Sequence, residues 1–420
     1  MKNSHDLNAL IRRRIGVAAL AWATAATLAA CGSGGGSSDS DADVNVPQAP
    51  AKPSVEETAA ARVHIFGAEN VDPLTGEIND KTVLFSWLSG TTYAAAVNGN
   101  VVLLDASLLR REDVPGRTPT TRKELVALMP THIFLSQASQ GHADLAADIG
   151  FRTGATIVGA AEHCATVQAD ARALFGGDEG ASLLKCIEAA PAASTPGDRL
   201  TSINLADIGV CVRPVKNIVS ASVANDPAIG LSSFDWGANS DQRDADYWPE
   251  GEPASDGVTT GGTNDSPAML YHFSMQGQQN FSFLWNGHAG PIKESAPGIA
   301  SMLRQLPKTD VQIGSVSTEN AVNNGLRDPA LYIANVEPKI FFPSGHDAAA
   351  QAHGAYATAE FVKRALDDAL DAVSVTGEHR PDVRFLYDPI DYASVLMRFD
   401  PAAPAWTRGS DRVTDSSCAN

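Results

Sequence analysis

Positive charge is scarce in this sequence. Over 420 residues, 31 Lys and Arg stand against 49 Asp and Glu, a formal net charge of −18. A general nucleic-acid binder needs a basic surplus to displace counterions from phosphates, so that class is excluded. Aromatics are only 6% of the chain, and neither a heptad pattern nor a short repeat is visible, which excludes coiled coils and solenoids. There is no Gly-x-Ser-x-Gly elbow and no phosphate-cradling P-loop, so neither an elbow-type serine hydrolase nor a P-loop nucleotide site is supported. Downstream of the first thirty residues no run is apolar and long enough to span a bilayer. What is present, 44% hydrophobic and 19% charged residues, can bury a large core, which excludes disorder over the whole length.

The N-terminus reads as an address. Arg12, Arg13 and Arg14 precede an apolar, Ala-rich run from Ile15 to Ala30, which is short for a transmembrane helix. It ends Leu28-Ala29-Ala30-Cys31-Gly32. Basic residues, an apolar run and small residues before a Cys match a bacterial lipoprotein signal, with cleavage after Ala30 and lipid (diacylglycerol and palmitate) on Cys31. The triple Arg also raises twin-arginine export. Residues 31–62 read as the lipidated Cys and a flexible tether. Its Gly/Ser run from Gly32 to Ser38 gives flexibility, and Pro47, Pro50 and Pro53 keep it extended. Residues 63–420 are then one domain with insertions at about 160–210 and 224–267. The expected location is the cell envelope, at the outer membrane facing the periplasm, with the lipid as the one membrane contact. Removal of residues 1–30, net +3, leaves −21 on 390 residues, an anionic body on a leash.

Four cysteines remain: Cys164, Cys186, Cys211 and Cys418. Their spacings match no zinc ribbon or Cys-x-x-Cys pair. In an oxidising compartment they allow two disulfides with three connectivities; free buried thiols are the other reading. Residues 63–106 read as strands. Asn98-Gly99-Asn100 between apolar runs is a hairpin signal. Thr166 to Ala190 reads as helical. Residues 224–267 form a long Gly/Asp/Ser-rich region carrying Trp236, Tyr247 and Trp248, which either close over a ligand or pin the loop. The alternation of strands and helices suits a layered α/β fold.

Four pieces follow in order. A strand ends at Asp105. A strand leads into Leu135-Ser136-Gln137-Ala138-Ser139-Gln140-Gly141-His142. A hairpin ends Trp285-Asn286-Gly287-His288-Ala289-Gly290. A last strand delivers Phe342-Pro343-Ser344-Gly345-His346. This order resembles the metallo-β-lactamase superfamily, nearest its lactonase-like branch, over roughly residues 80 to 375. The resemblance implies a four-layer αββα sandwich with a metal site at the sheet edges.

Carried over residue by residue, the resemblance puts Gln137, Ser139, Gly141 and His142 on the family's H-x-H-x-D-H loop, Val219 at its lone His, His288 at its bridging Asp and His346 at its last His. The first metal site has lost its imidazoles to Gln137, Ser139 and Val219, which cannot replace them for zinc. At the second, Gly141 stands for a carboxylate, but an imidazole replaces another at 288. His142, His288 and His346 are therefore the candidate ligands of one zinc or similar divalent metal, whose bound water would attack an ester, lactone or amide. Asp105 is the supporting carboxylate, assigned as catalytic or, as the family implies, as a group that orients loop backbone. The alternative is a decayed centre without metal, in an inactive lipoprotein that binds a small-molecule ligand or partner. Convergence of the three imidazoles separates these readings. Asp144 and Asp347 read as helix N-caps or imidazole partners, and His132 as a satisfied core residue. His163 beside Cys164 is a possible metal pair. His353, two helical turns beyond His346, is not expected to be a ligand.

Overall fold

The structure, a computed structural model, describes residues 51–108, 120–139, 141–232, 267–277, 280–347, 355–387, 397–406 and 418. Cys31, Trp236, Tyr247, Trp248 and His353 lie outside them.

The chain is helical eight residues before the expected domain start at Val63. Helix α1 covers Val55–Phe66 because Ser54-Val55-Glu56-Glu57 is a capping box: each end's side chain bonds the other's backbone N–H. Its Ala61, Ile65 and Phe66 are buried, so this turn of sequence belongs to the core.

Strands β1 (Val83–Ser89), β2 (Thr92–Val97) and β3 (Asn100–Leu104) form the expected antiparallel meander, with Asn98 and Gly99 both at positive φ in the turn. Helix α2 (Arg122–Ala127) leads into β4 (His132–Phe134), and α3 (Ala146–Thr153) into β5 (Thr156–Ala160), both parallel to β3. Helices α4 (Ala161–Leu174) and α5 (Asp178–Ser182) then precede an edge strand, β6 (Cys186–Ala190). The expected single helix from 166 to 190 is thus broken. Gly176 and Gly177 both take positive φ and end α4, and the tail of the segment pairs with β5 instead.

The second sheet takes β7 (Ile203–Leu205), β8 (Val210–Asn217), β9 (Ala268–Met275) and β10 (Ser282–Asn286) as an antiparallel run. After α6 (Ile292–Ser295) and α7 (Pro297–Gln305), β11 (Val311–Ser315) joins β10 in parallel. Helices α8 (Ala321–Asn324) and α9 (Arg327–Val336) lead to β12 (Ile340–Ser344), and α10 (Ala355–Ala372) to β13 (Asp382–Val383). Strand β14 (Arg398–Phe399), the last among the described residues, returns to β1. Among the described residues the two sheets have seven strands each, in the orders β14-β1-β2-β3-β4-β5-β6 and β13-β12-β11-β10-β9-β8-β7. The segment expected as an insertion at 160–210 therefore gives one edge strand to each sheet.

Burial on both faces makes the layers. On β3, Val102 and Leu104 meet the opposite sheet while Val101 and Leu103 meet α1 and α3. Between the sheets Phe85 packs edge-on to Phe283 at 4.9 Å and Phe134 to Phe273 at 4.9 Å. The outer face of the second sheet is covered by α7, α9 and α10 through Leu303, Tyr332 and Leu366. The result is the expected αββα sandwich. Disulfides join Cys164 to Cys186, tying α4 to β6, and Cys211 to Cys418. Among the described residues, no helix is long and apolar enough to cross a membrane.

Candidate functional site

Three segments meet beyond the C-terminal ends of β3, β4 and β10, where successive strands stop and their loops begin. Asp105 follows β3 in the left-handed region, φ 56°, a conformation that Asp tolerates better than most residues. Its carboxylate has no exposed surface. Oδ1 accepts from the Ser136 N–H at 2.8 Å. Oδ2 accepts from the Ser136 hydroxyl at 2.7 Å, from the Thr91 hydroxyl at 2.6 Å and from His142 Nδ1 at 2.8 Å. A carboxylate only accepts, so His142 carries a proton on Nδ1 and points Nε2 away from Asp105. The Asp105 backbone N–H in turn bonds Phe134 O at 2.7 Å, tying β3 to β4. Asp105 thus holds the Ser136 loop, Thr91 and His142 together.

The loop from Ser136 to His142 is closed by its own side chains. The Ser139 hydroxyl donates to Gln137 Oε1 at 2.7 Å, and both residues are buried. Gly141, φ 89°, turns its N–H onto the Asp144 carboxylate at 3.0 Å, which also accepts from the Ser107 hydroxyl at 2.7 Å. Asp144 is therefore a loop clamp. It does not cap α3, whose N-cap is Leu145 with no side-chain bond. Asp347 accepts from the Gly90 N–H at 2.8 Å, tying the end of β12 to the β1–β2 turn.

His288 lies beside His142, ring centroids 4.4 Å apart and tilted by 41°. Its Nε2 is buried and has no hydrogen-bond partner among the described residues. Burial first, and the neighbouring His142 and His163 second, hold its pKa well below the usual imidazole value. Gly287, one residue earlier, has to be glycine: a Cβ there would stand 2.3 Å from Ser136 Oγ and 3.4 Å from Asp105 Oδ2. The β10 end and the Asp105 network touch at this point.

His346 takes another direction. It is fully buried, its Nε2 lies 2.9 Å from Leu386 O, and its ring packs on Trp87 at 4.6 Å between centroids. His142 and His288 are brought together; His346 sits with Trp87, Phe385 and Leu386. Among the described residues no three His, Cys, Asp or Glu side chains gather closely enough to hold a metal ion. The donors present do not fit the dinuclear centre of the family. Gln137 and Ser139 bond each other, Gly141 and Val219 offer no ligating side chain, and His346 is held on a carbonyl. The fit that remains is two imidazoles, one of them with a buried, unsatisfied nitrogen.

His163 is no metal partner of Cys164, which is oxidised; its Nε2 lies 2.7 Å from Pro267 O. His132 is the expected core residue, bonded to the Thr131 hydroxyl. Thr91 and Ser136, which complete the Asp105 network, carry no motif in the sequence. Burial, the largest influence, pulls His163 down to about 4. Between pH 6.5 and 4 this histidine is protonated in the unfolded chain and neutral in the native one. Stability is therefore expected to be fully present above pH 6.5 and to fall on acidification, by about 1.4 kcal/mol per pH unit for each such histidine. His288 adds to the same slope. Urea titrations across this window test it: His163→Gln is expected to flatten the slope by about 1.4 kcal/mol per unit, and an unchanged slope would refute the assignment.

No family model matches the chain, and no curated protein matches it. Solved structures do. Igni18, a metallo hydrolase from the archaeon Ignicoccus hospitalis, is 14% identical over 73% of this chain and 95% of its own, with a TM-score of 0.39. YhfI from Bacillus subtilis, a metallo-β-lactamase fold protein, is 8% identical over 73% and 96%, TM-score 0.37. Zinc-bound PqqB from Methylobacterium extorquens is 11% identical over 68% and 95%, TM-score 0.38. With its two mixed seven-stranded sheets packed face to face and helices on both outer surfaces, this chain is a four-layer αββα sandwich, the architecture that the resemblance to the metallo-β-lactamase superfamily implies.

Proposed function

We propose that this protein is a lipid-anchored component of the bacterial envelope, tethered through Cys31 at the outer membrane, whose αββα domain binds a small-molecule ligand at the corner of Asp105, His142 and His288 without dinuclear metal chemistry. The carrying observation is the split of the three candidate ligands: His142 and His288 adjoin, while His346 is held on Leu386 O and Trp87. Two disulfides support an oxidising compartment. The buried, unsatisfied Nε2 of His288 supports recognition of a polar ligand group at this corner.

A second reading, a hydrolase of an ester, lactone or amide, is favoured by one geometry. Asp105 holds His142 Nδ1–H at 2.8 Å, which is how a carboxylate orients an imidazole for base or ligand work. Metal analysis of protein purified without chelators separates the two. The first reading expects less than about a tenth of an equivalent of transition metal, unchanged by added zinc. One equivalent of zinc that is lost in His288→Ala, or ester turnover abolished in His142→Ala, would overturn it in favour of the second.

A further inference from the structure

Strands β3, β4 and β10 deliver Asp105, His142 and His288 to their corner. A fourth strand, β8, ends beside them. Two residues past its end stands Val219, where the family resemblance implies an imidazole and this chain has none. What β8 contributes instead is its last residue, Asn217, whose side chain is buried and bonded to the His288 backbone.

Both polar atoms of that amide are used. Nδ2 donates to the His288 carbonyl at 2.9 Å and to Asn286 Oδ1 at 3.1 Å, and Oδ1 accepts from the Tyr332 hydroxyl on α9. A carbonyl oxygen only accepts, so the amide has one orientation. Asn286 Oδ1 also accepts from the His288 N–H at 3.4 Å. Two buried side chains therefore hold His288 by its N–H and by its carbonyl. Strand β9 lies between β8 and β10 in the sheet. Its Ala268 stands opposite Asn217 on the same face, and a methyl group there leaves the amide room to reach β10. The loop is also pinned on either side of His288. A Cβ on Gly290 would stand 2.5 Å from Val219 O, as one on Gly287 would meet Ser136. The ring itself has no hydrogen bond at Nε2 among the described residues, so its direction depends on where this backbone is held.

We propose that Asn217 is the positioning residue of this corner: by gripping Asn286 and the His288 carbonyl, it sets the His288 ring against His142. The inference rests on the reading of that corner as the functional site. The two donors of Nδ2 are the grip. The Tyr332 hydroxyl anchors the oxygen of the amide from α9 and is not part of the grip. Asn217 thus acts on the corner through His288, from the strand end that has lost its imidazole.

The test is NMR of the full-length protein labelled on histidine, reading through-space transfer between the His142 and His288 rings, whose centroids are 4.4 Å apart. The parent is expected to show the cross-peak. Asn217→Leu, close in size but without donors, is expected to lose it and to shift the His288 ring signals. Asn217→Ser, a milder loss of the same donors, replaces it if circular dichroism shows that the first variant does not fold. Tyr332→Phe keeps both donors of Asn217 and is expected to keep the cross-peak. Leu303→Ala, a cavity in the core under the same sheet, is expected to lower the urea midpoint and also to keep it, which separates positioning from plain loss of stability. A cross-peak that persists in a folded variant at 217, or is lost as fully in Tyr332→Phe or Leu303→Ala, would overturn the proposal. Its absence from the parent would overturn the pairing of the two imidazoles, and with it the reading of the corner, so the two assignments fail by different results.

Discussion

Replacement of Asp105 by alanine is expected to cost the fold about 3–5 kcal/mol, the range for breaking a buried charged network by removing one partner. Four donors converge on this one carboxylate: the Thr91 and Ser136 hydroxyls, the Ser136 N–H and His142 Nδ1. The Thr91 and Ser136 donors do not reach water by a small shift, because Asp105, Ser136 and Thr91 are buried. Alanine also has to hold φ 56°, a left-handed conformation that costs a residue with an ordinary Cβ about 1–2 kcal/mol. Asp105→Asn keeps that conformation and one acceptor oxygen, so it is expected to lose less than half as much. Its amide N–H₂ faces His142 and forces Nδ1 to become the acceptor, which moves the proton to Nε2. Urea unfolding measures the first effect and nitrogen NMR of the imidazole the second. A stability of Asp105→Ala within about 1 kcal/mol of the parent would show that the network is not what holds the corner together.

The largest covalent effect is expected from the Cys211–Cys418 disulfide. It closes a loop with a sequence separation of 207, from the second strand of one sheet to the end of the chain. In the chain-entropy account a loop of that size restricts the unfolded state by about 5 kcal/mol, against about 3 kcal/mol for Cys164–Cys186 with its separation of 22. Alanine at both positions of a pair avoids a stray thiol. The 211/418 pair is expected to lower the guanidinium midpoint more than the 164/186 pair, and reduction of the parent by dithiothreitol is expected to reproduce the sum. Equal midpoints for parent and the 211/418 variant would mean that this bond does not persist in the folded protein. The final strand sits between the two bridged ends: β14 pairs with β1, and Phe399 packs between Phe281 and Phe342. Loosening there is expected to expose the inter-sheet core before the Asp105 corner.

Much of the sandwich was legible because its signals are short-range. Asn98-Gly99 marks a turn through the φ values it permits. The alternation Val101 to Leu104 marks a strand with two buried faces. Where the reading failed, a local pattern was overruled. The tail of 166–190 is Ala-rich and reads as helix, but β5 offers an open edge and Gly176-Gly177 stops α4, so Cys186 to Ala190 becomes a strand. Helix α1 was hidden by the Pro-containing stretch before it, although Ser54 and Glu57 form its capping box.

By itself the sequence determined which chemistry the site positions can supply. Residue identity is enough to show that Gln137, Ser139 and Val219 supply no imidazole and that His288 does, since an amide, a hydroxyl or an isopropyl group does not replace imidazole on zinc in any fold. Only the tertiary structure decided which of the surviving imidazoles meet. His142 and His288 are 146 positions apart and become neighbours because β4 and β10, in facing sheets, end at the same edge. His346 follows a strand ending at that edge too, yet its ring turns to Trp87 and Leu386 O. Direction at a strand end is set by the partners available to a buried ring, an indole face and a carbonyl in need of a donor, and those partners come from remote parts of the chain.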